Sequence, residues 1–300
     1  MTAFTYLNLP FDTTTFTSPL AGTNDMITAN VLDDFTINGN GGNDVIKTGD
    51  GNDSITTRAG NDTIRAGNGD NTVSAGNGIN VITTGTGNDT ITTGAGNDYI
   101  GASNGNNTIN AGDGINSILT KWGQDTITTG AGTDFVYSGG GDDIISTGGS
   151  VDNINSGAGN DRINAGTGND MITPGGGLDK IIGGGGHDTF VYSTLADVLL
   201  GADTIADFST ARPNYAGEGD KLNLTGLVHD FTGEPYYHTL GHLVSGGFLH
   251  FSAGGGGTVI SFDSNGSAAG GSTGTVVTLV GVPFSTEFGA IINFADNILT

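Results

Sequence analysis

An oxygen-bearing side chain recurs at every ninth residue between Asp44 and Asp188. The series reads Asp44, Asp53, Asp62, Asn71, Asn80, Asp89, Asp98, Asn107, Asn116, Asp125, Asp134, Asp143, Asp152, Asp161, Asp170, Asp179 and Asp188, with no insertion or deletion. Carboxylate and amide oxygens are hard donors, and neighbouring glycines admit the backbone angles that turn carbonyl oxygens inward. Calcium takes six to eight such oxygens at about 2.3–2.6 Å, whereas magnesium demands octahedral geometry and keeps its waters. The chemistry that fits this spacing is repeated binding of calcium.

The elements that position these residues follow from the same period. A nine-residue unit, typified by TGTGNDTIT at 84–92, runs seventeen times over residues 39–191. Its fourth position is Gly in sixteen units, with Ser150 the exception, and its eighth is apolar from Ile46 to Phe190. Helices tolerate glycine poorly at such intervals. Short strands joined by tight glycine turns accept it, and a fixed period of this kind marks a stacked solenoid. In a two-sided coil, units eighteen residues apart lie directly above one another, about 4.8 Å apart.

Sorting the sixth position by side gives fifteen gaps between stacked residues, seven of them Asp–Asp and eight mixed Asp–Asn. Six of the Asp–Asp gaps lie between Asp125 and Asp188. Fewer ligand charges weaken calcium sites, so the C-terminal half of the array is expected to bind more tightly. Without the cation the stacked carboxylates repel, and the apo array is expected to be largely unfolded. Trp122, the one tryptophan, falls in a turn and can report that transition.

Composition narrows the partners. Acidic residues outnumber basic ones 31 to 8, for a net charge of −23. Such a surface repels nucleic acid and anionic membranes. The absence of cysteine excludes disulfides, thiolate metal sites and cysteine nucleophiles. No apolar run approaches the about eighteen residues of a membrane-spanning helix. The start, MTAFTYLNLPFDTTTF, lacks the basic and apolar regions of a cleavable leader. No HExxH, GxSxG or phosphate-loop motif occurs, so zinc protease, lipase and nucleotide chemistry lack their residues. His238 and His242 are four apart but have no third placed ligand, and a surface or partly buried position without a metal is the expectation for them.

Three regions follow. Residues 1–38 are Thr-rich with degenerate units such as AGTNDMIT (21–28), expected to cap the first coil. Residues 39–191 form the repeat array. Residues 192–300 break the period and carry expected strands at 222–228, 248–251, 258–262 and 275–282. The residues flanking the eighth position face outward, and the two faces differ. One shows Ser54/Thr56, Thr72/Ser74, Thr90/Thr92, Thr108/Asn110 and Thr126/Thr128; the other shows Val45, Val81, Tyr99, Leu119, Phe135, Tyr137 and Met171. Thr is a good exposed strand residue in any case.

The units resemble the RTX (repeats-in-toxin, hemolysin-type) nonapeptide GGxGxDxUx of calcium-binding rolls. Their second position is Gly in thirteen units and departs at Asn40, Arg58, Ser103 and Lys121. DTFVYSTLADVLLGADTIADF (188–208) and GEGDKLNLTGL (217–227) resemble the segment that follows such rolls in secreted proteases. VISFDSNGSAAGGSTGTVVTLVGV (259–282) is similar to a type I secretion target region.

The resemblance implies an all-β fold, a right-handed parallel β-roll (β-solenoid) with a β-rich C-terminal domain. It implies several bound Ca2+ ions as cofactors and a type I secretion exporter as partner. Release to the extracellular space would follow, through an uncleaved C-terminal signal and without catalysis of the chain's own. Two other readings stay open. One is a surface-binding protein, an adhesin or ice binder that meets a surface, glycan or ice through the Thr ladder. The other is a polysaccharide-modifying enzyme.

Overall fold

The computed structural model describes residues 4–8, 15–18, 22–29, 32–194, 197, 202–209, 219–224, 249–263, 273–280, 282 and 298–299. The chain divides into two units, Met1–Gly149 and Ser150–Thr300. Each is a stack of short parallel strands in two sheets.

In the first unit consecutive nonapeptides go to opposite sheets. Val45–Lys47, Thr63–Gly67, Val81–Thr84, Tyr99–Gly101, Ser117–Leu119 and Phe135–Tyr137 share one sheet. Ser54–Thr56, Thr72–Gly76, Thr90–Thr93, Thr108–Asn110, Thr126–Thr128 and Ile144–Ser146 share the other. Register is set by the apolar eighth position: Ile46 pairs with Ile64, Ile55 with Val73, and Ile91 with Ile109. Both columns, Ile46 to Ile118 and Ile55 to Ile127, are at most 2 % exposed. Side chains of a strand alternate between faces, so one inward residue per unit builds the core and its two neighbours form the outer face. That alternation puts Thr36, Ser54, Thr72, Thr90, Thr108 and Thr126 in one exposed, in-register column. On the opposite sheet Val81, Tyr99, Leu119, Phe135 and Tyr137 are exposed. The ladder also begins before the strict period: Asn24–Thr28 pairs in parallel with Val45–Lys47, Ile27 against Ile46.

The turns explain the glycine columns. Gly105 has φ +135°, and a Cβ there would strike the Gly87 carbonyl of the coil before it. No L-residue fits that position without moving backbone. Three departures from the glycine pattern still take left-handed φ, Asn40 at 62°, Arg58 at 74° and Ser150 at 90°. Each such residue costs about 1–3 kcal/mol and persists because stacked neighbours over-determine it.

In the second unit the sequence loses its period at residue 192, but the stack continues. Asp203–Ile205 pairs in parallel with Lys180–Ile182, and Lys221–Asn223 with Thr189–Val191. Thr273–Val280 then pairs with Asp203–Ile205, and antiparallel strands Gly257–Asp263 and Leu249–Gly254 complete that sheet. Three of the strands expected in this region, at 248–251, 258–262 and 275–282, thus match strands at nearly the same residues. The fourth, 222–228, begins with Lys221–Asn223, and its remainder past 224 lies outside the described residues. His238 and His242 also lie outside them.

With one large apolar side chain buried per unit, each such residue carries a large share of the packing. Ile109, 1 % exposed, pairs in register with Ile91 on one side and Ile127 on the other, so truncating it opens a gap in the middle of its column. In saturating calcium Ile109→Ala is expected to lower stability to denaturant by about 2–5 kcal/mol. The exposed neighbour change Thr108→Ser should stay within about 0.5 kcal/mol. Equal effects of the two would contradict the core assignment.

Candidate metal centre

The sixth position of each unit sits where a glycine turn enters its strand. The strand's inward eighth position pulls this residue under the next coil, and all seventeen expected ligand residues, Asp44 to Asp188, are at most 2 % exposed. A buried polar residue must find partners, and here the partner is the same position one coil on. In the first unit the Asp44 N–H donates to Asp62 Oδ1 at 2.8 Å, and Asp62 N–H to Asn80 Oδ1 at 3.1 Å. Asn80 continues to Asp98, Asp98 to Asn116 and Asn116 to Asp134. The other column runs Asp53, Asn71, Asp89, Asn107, Asp125 and Asp143 by the same bond. In the second unit Asp152 donates to Asp170, Asp170 to Asp188, and Asp161 to Asp179. Within each unit the structure therefore brings the sequence-derived residues into stacked columns.

One oxygen of each carboxylate is used by this ladder. The second is the chemically informative one. Oδ2 of Asp44, Asp53, Asp62, Asp89, Asp98 and Asp125 in the first unit, and of Asp170, Asp179 and Asp188 in the second, is buried and accepts no hydrogen bond. An orphaned buried carboxylate oxygen is costly. What surrounds it is read from the turns where Asn replaces Asp, because Oδ1 keeps the same role in both and the amide nitrogen stands in for Oδ2. Asn71 Nδ2 lies 3.2 Å from the Gly67 carbonyl, 2.8 Å from the Gly69 carbonyl and 3.0 Å from Asp89 Oδ1. Two backbone carbonyls and a carboxylate from the next coil thus converge on one point. A positive centre belongs there. The donor set is all oxygen, part neutral and part anionic, as calcium prefers. Among the described residues no three His, Cys, Asp or Glu side chains cluster. The site draws on carbonyls and at most two carboxylates instead.

The electrostatics agree. Burial, then the neighbouring carboxylates Asp62 and Asp25, lifts Asp44 to about 7. Burial and the carboxylates Asp188 and Asp152 lift Asp170 to about 7. Burial beside Asp203 lifts Asp179 to about 8. Burial likewise raises Asp53, where the adjacent Thr48 hydroxyl offsets part of the rise. That hydroxyl's proton goes to the Ala66 carbonyl at 2.7 Å, so its help to Asp53 is limited. Protons and cations compete for these oxygens.

Three column members escaped the periodic reading. Asp25 donates its N–H to Asp44 Oδ1, Asp179 donates to Asp203 Oδ1, and Asp188 to Asp220 Oδ1. The separations are 19, 24 and 32 residues instead of eighteen. The local signal was present as an Asp two residues before an apolar strand residue: Asp25/Ile27, Asp203/Ile205 and Asp220/Leu222. Asp220 also accepts the Ser209 N–H on Oδ2 at 2.7 Å, so both its oxygens are bonded by backbone. A second ladder was also unread. The exposed fifth position bonds the opposite way along the stack, with Asn61 N–H donating to Asn43 Oδ1 and Asn88 N–H to Asp70 Oδ1. It joins the turns without any metal.

The family model of the RTX calcium-binding nonapeptide repeat matches this chain at residues 38–73 and 74–109 and, in overlapping segments, on to residue 199. No curated protein matches the chain. Among the described residues no helix is long and apolar enough to cross a membrane.

Proposed function

Because this chain belongs to the family of proteins built on the RTX calcium-binding nonapeptide repeat, we propose that it is a secreted protein whose repeat array folds on binding extracellular calcium. The observation that carries the reading is the row of buried, hydrogen-bond-orphaned Asp Oδ2 atoms. The residues that would hold the ions are the column aspartates, with Asn71, Asn80, Asn107 and Asn116 lending oxygens where they stack above an Asp. Turn carbonyls such as those of Gly67 and Gly69 complete the set. Bound calcium would supply positive charge to carboxylates that burial otherwise forces toward the protonated form.

Several ions would bind, most tightly where both column residues are Asp. In this reading residues 1–38 cap the roll, residues 39–191 bind calcium, and residues 192–300 carry the export signal for a type I secretion system. A chain that stays open at low calcium can thread an exporter and fold outside, where calcium is abundant. The array itself has no catalytic role.

Hydrogen exchange followed through a calcium titration tests the expected order. Strands from Arg162–Asn164 to Thr189–Val191 should gain protection at lower calcium than strands from Ser54–Thr56 to Thr108–Asn110. Protection appearing first in the N-terminal strands would contradict it.

A further inference from the structure

The eight mixed gaps are alike in composition but not in direction, and the structure separates them. Where Asp precedes Asn in the chain, as in Asp53–Asn71 or Asp89–Asn107, the Asp places an orphaned Oδ2 in its own turn. Where Asn precedes Asp, an amide nitrogen fills that place. The Asn71 amide meets the Gly67 and Gly69 carbonyls and Asp89 Oδ1. Asn80 Nδ2 donates to the Gly76 and Gly78 carbonyls at 3.2 and 3.4 Å. Asn107 does so to the Ser103 and Gly105 carbonyls at 3.3 and 2.9 Å. Asn116 reaches the Gly112 and Gly114 carbonyls at 3.2 and 3.3 Å. In all four turns the carboxamide donates to the carbonyls of the second and fourth positions. These are the oxygens that a cation would use.

We propose that the four gaps beginning with Asn71, Asn80, Asn107 and Asn116 take no calcium, the Asn carboxamide standing permanently in the cation's place. This rests on the calcium reading above and refines it. Mixed gaps that begin with Asp remain calcium sites of reduced charge; mixed gaps that begin with Asn are closed by the protein itself. An NH2 group carries two donors and little charge. It satisfies the converging oxygens at any calcium concentration, and a carboxylate in the same place cannot.

The first position of each unit gives independent support. It is Thr or Ser in nine of the thirteen Asp units. In the Asn units it is Ala66, Ala75, Ala102 and Ala111, with no hydroxyl in any. In the Asp units Thr57, Thr84 and Thr93 lie beside the carboxylates of Asp62, Asp89 and Asp98. A hydroxyl oxygen there is a further neutral ligand for an ion. The Asn turns, which need none, have dropped it. The two positions change together because they face the same point.

Counting ions on the full-length protein tests the assignment. Native mass spectrometry in saturating calcium should show Asn71→Asp binding one more ion than the unaltered chain. The combined change of Asn71, Asn80, Asn107 and Asn116 to Asp should bind four more. Asp89→Asn, which closes a gap now open, should bind one fewer while keeping its β circular dichroism. An unchanged count in folded Asn71→Asp overturns the proposal, and so does an unchanged count in Asp89→Asn. The second variant decides if the first fails to fold. If the unaltered chain binds no calcium at all, the calcium reading itself falls, an outcome distinct from either unchanged count.

Discussion

Stripped of calcium at pH 8, the chain is expected to lose most of its β circular dichroism and to regain it on return to millimolar calcium. A folded domain is stable by about 5–15 kcal/mol. A buried charge left without a partner costs about 3–5 kcal/mol when its counter-charge is removed. The first unit alone buries Asp44, Asp53, Asp62, Asp89, Asp98 and Asp125 with an unbonded oxygen each. Three or four such groups exceed the net stability of an ordinary domain. The core set against that is thin, with one large apolar side chain per nonapeptide beside small ones such as Ala66 and Ala75. Calcium would reverse the balance by mass action, because its ligands converge only in the folded array. Trp122, 68 % exposed in its turn, gives a second optical probe in the same sample. A β spectrum unaffected by chelator would contradict the expectation.

The second expectation concerns pH and has an unusual sign. Aspartates normally hold their charge in a fold, and acid unfolds the protein. Here burial raises the carboxyls: Asp44 and Asp170 to about 7, Asp179 to about 8. Their value in the open chain is 3.8. Between 3.8 and these raised values the folded array binds more protons than the open chain. Stability therefore falls as pH rises through that window. In chelator, lowering the pH from 8 to 5 should restore β structure that calcium would otherwise supply.

With calcium present the same protons compete wherever they have already folded the array, so the midpoint of calcium uptake by that folded form should rise as pH falls below about 7. The rise should be about tenfold per pH unit for each proton displaced per ion. Chelated protein that loses structure on acidification from pH 8 to 5, or an uptake midpoint unchanged across the range where protons alone hold the fold, would contradict the raised carboxyls.

Much of this was legible in the sequence because a strict period reports both geometry and chemistry. The eighth position set the register and the sixth set the columns, and Ile46 against Ile64 with Asp44 against Asp62 follow from eighteen residues per coil. The two unlike outer faces followed from strand alternation. The period could not report what continues without it. Asp203 and Asp220 join the columns after 24 and 32 residues, each on an Asp–x–apolar triplet that lies outside the nine-residue period. Nor could composition tell an Asp–Asn gap from an Asn–Asp gap. That distinction depends on which residue's second side-chain atom points into its own turn, as Asn71 Nδ2 does toward Gly67 and Gly69. Charge counting treats the two as equal, and hydrogen bonding does not.

Filling the column sites and folding the roll are expected to be one event. The most direct test is a single calcium titration at pH 8 in which bound ions and β circular dichroism are recorded on the same sample. Two superimposable, cooperative curves are expected, with no β structure gained ahead of calcium uptake. A chain that shows its full β signal while the ions are still unbound would contradict it.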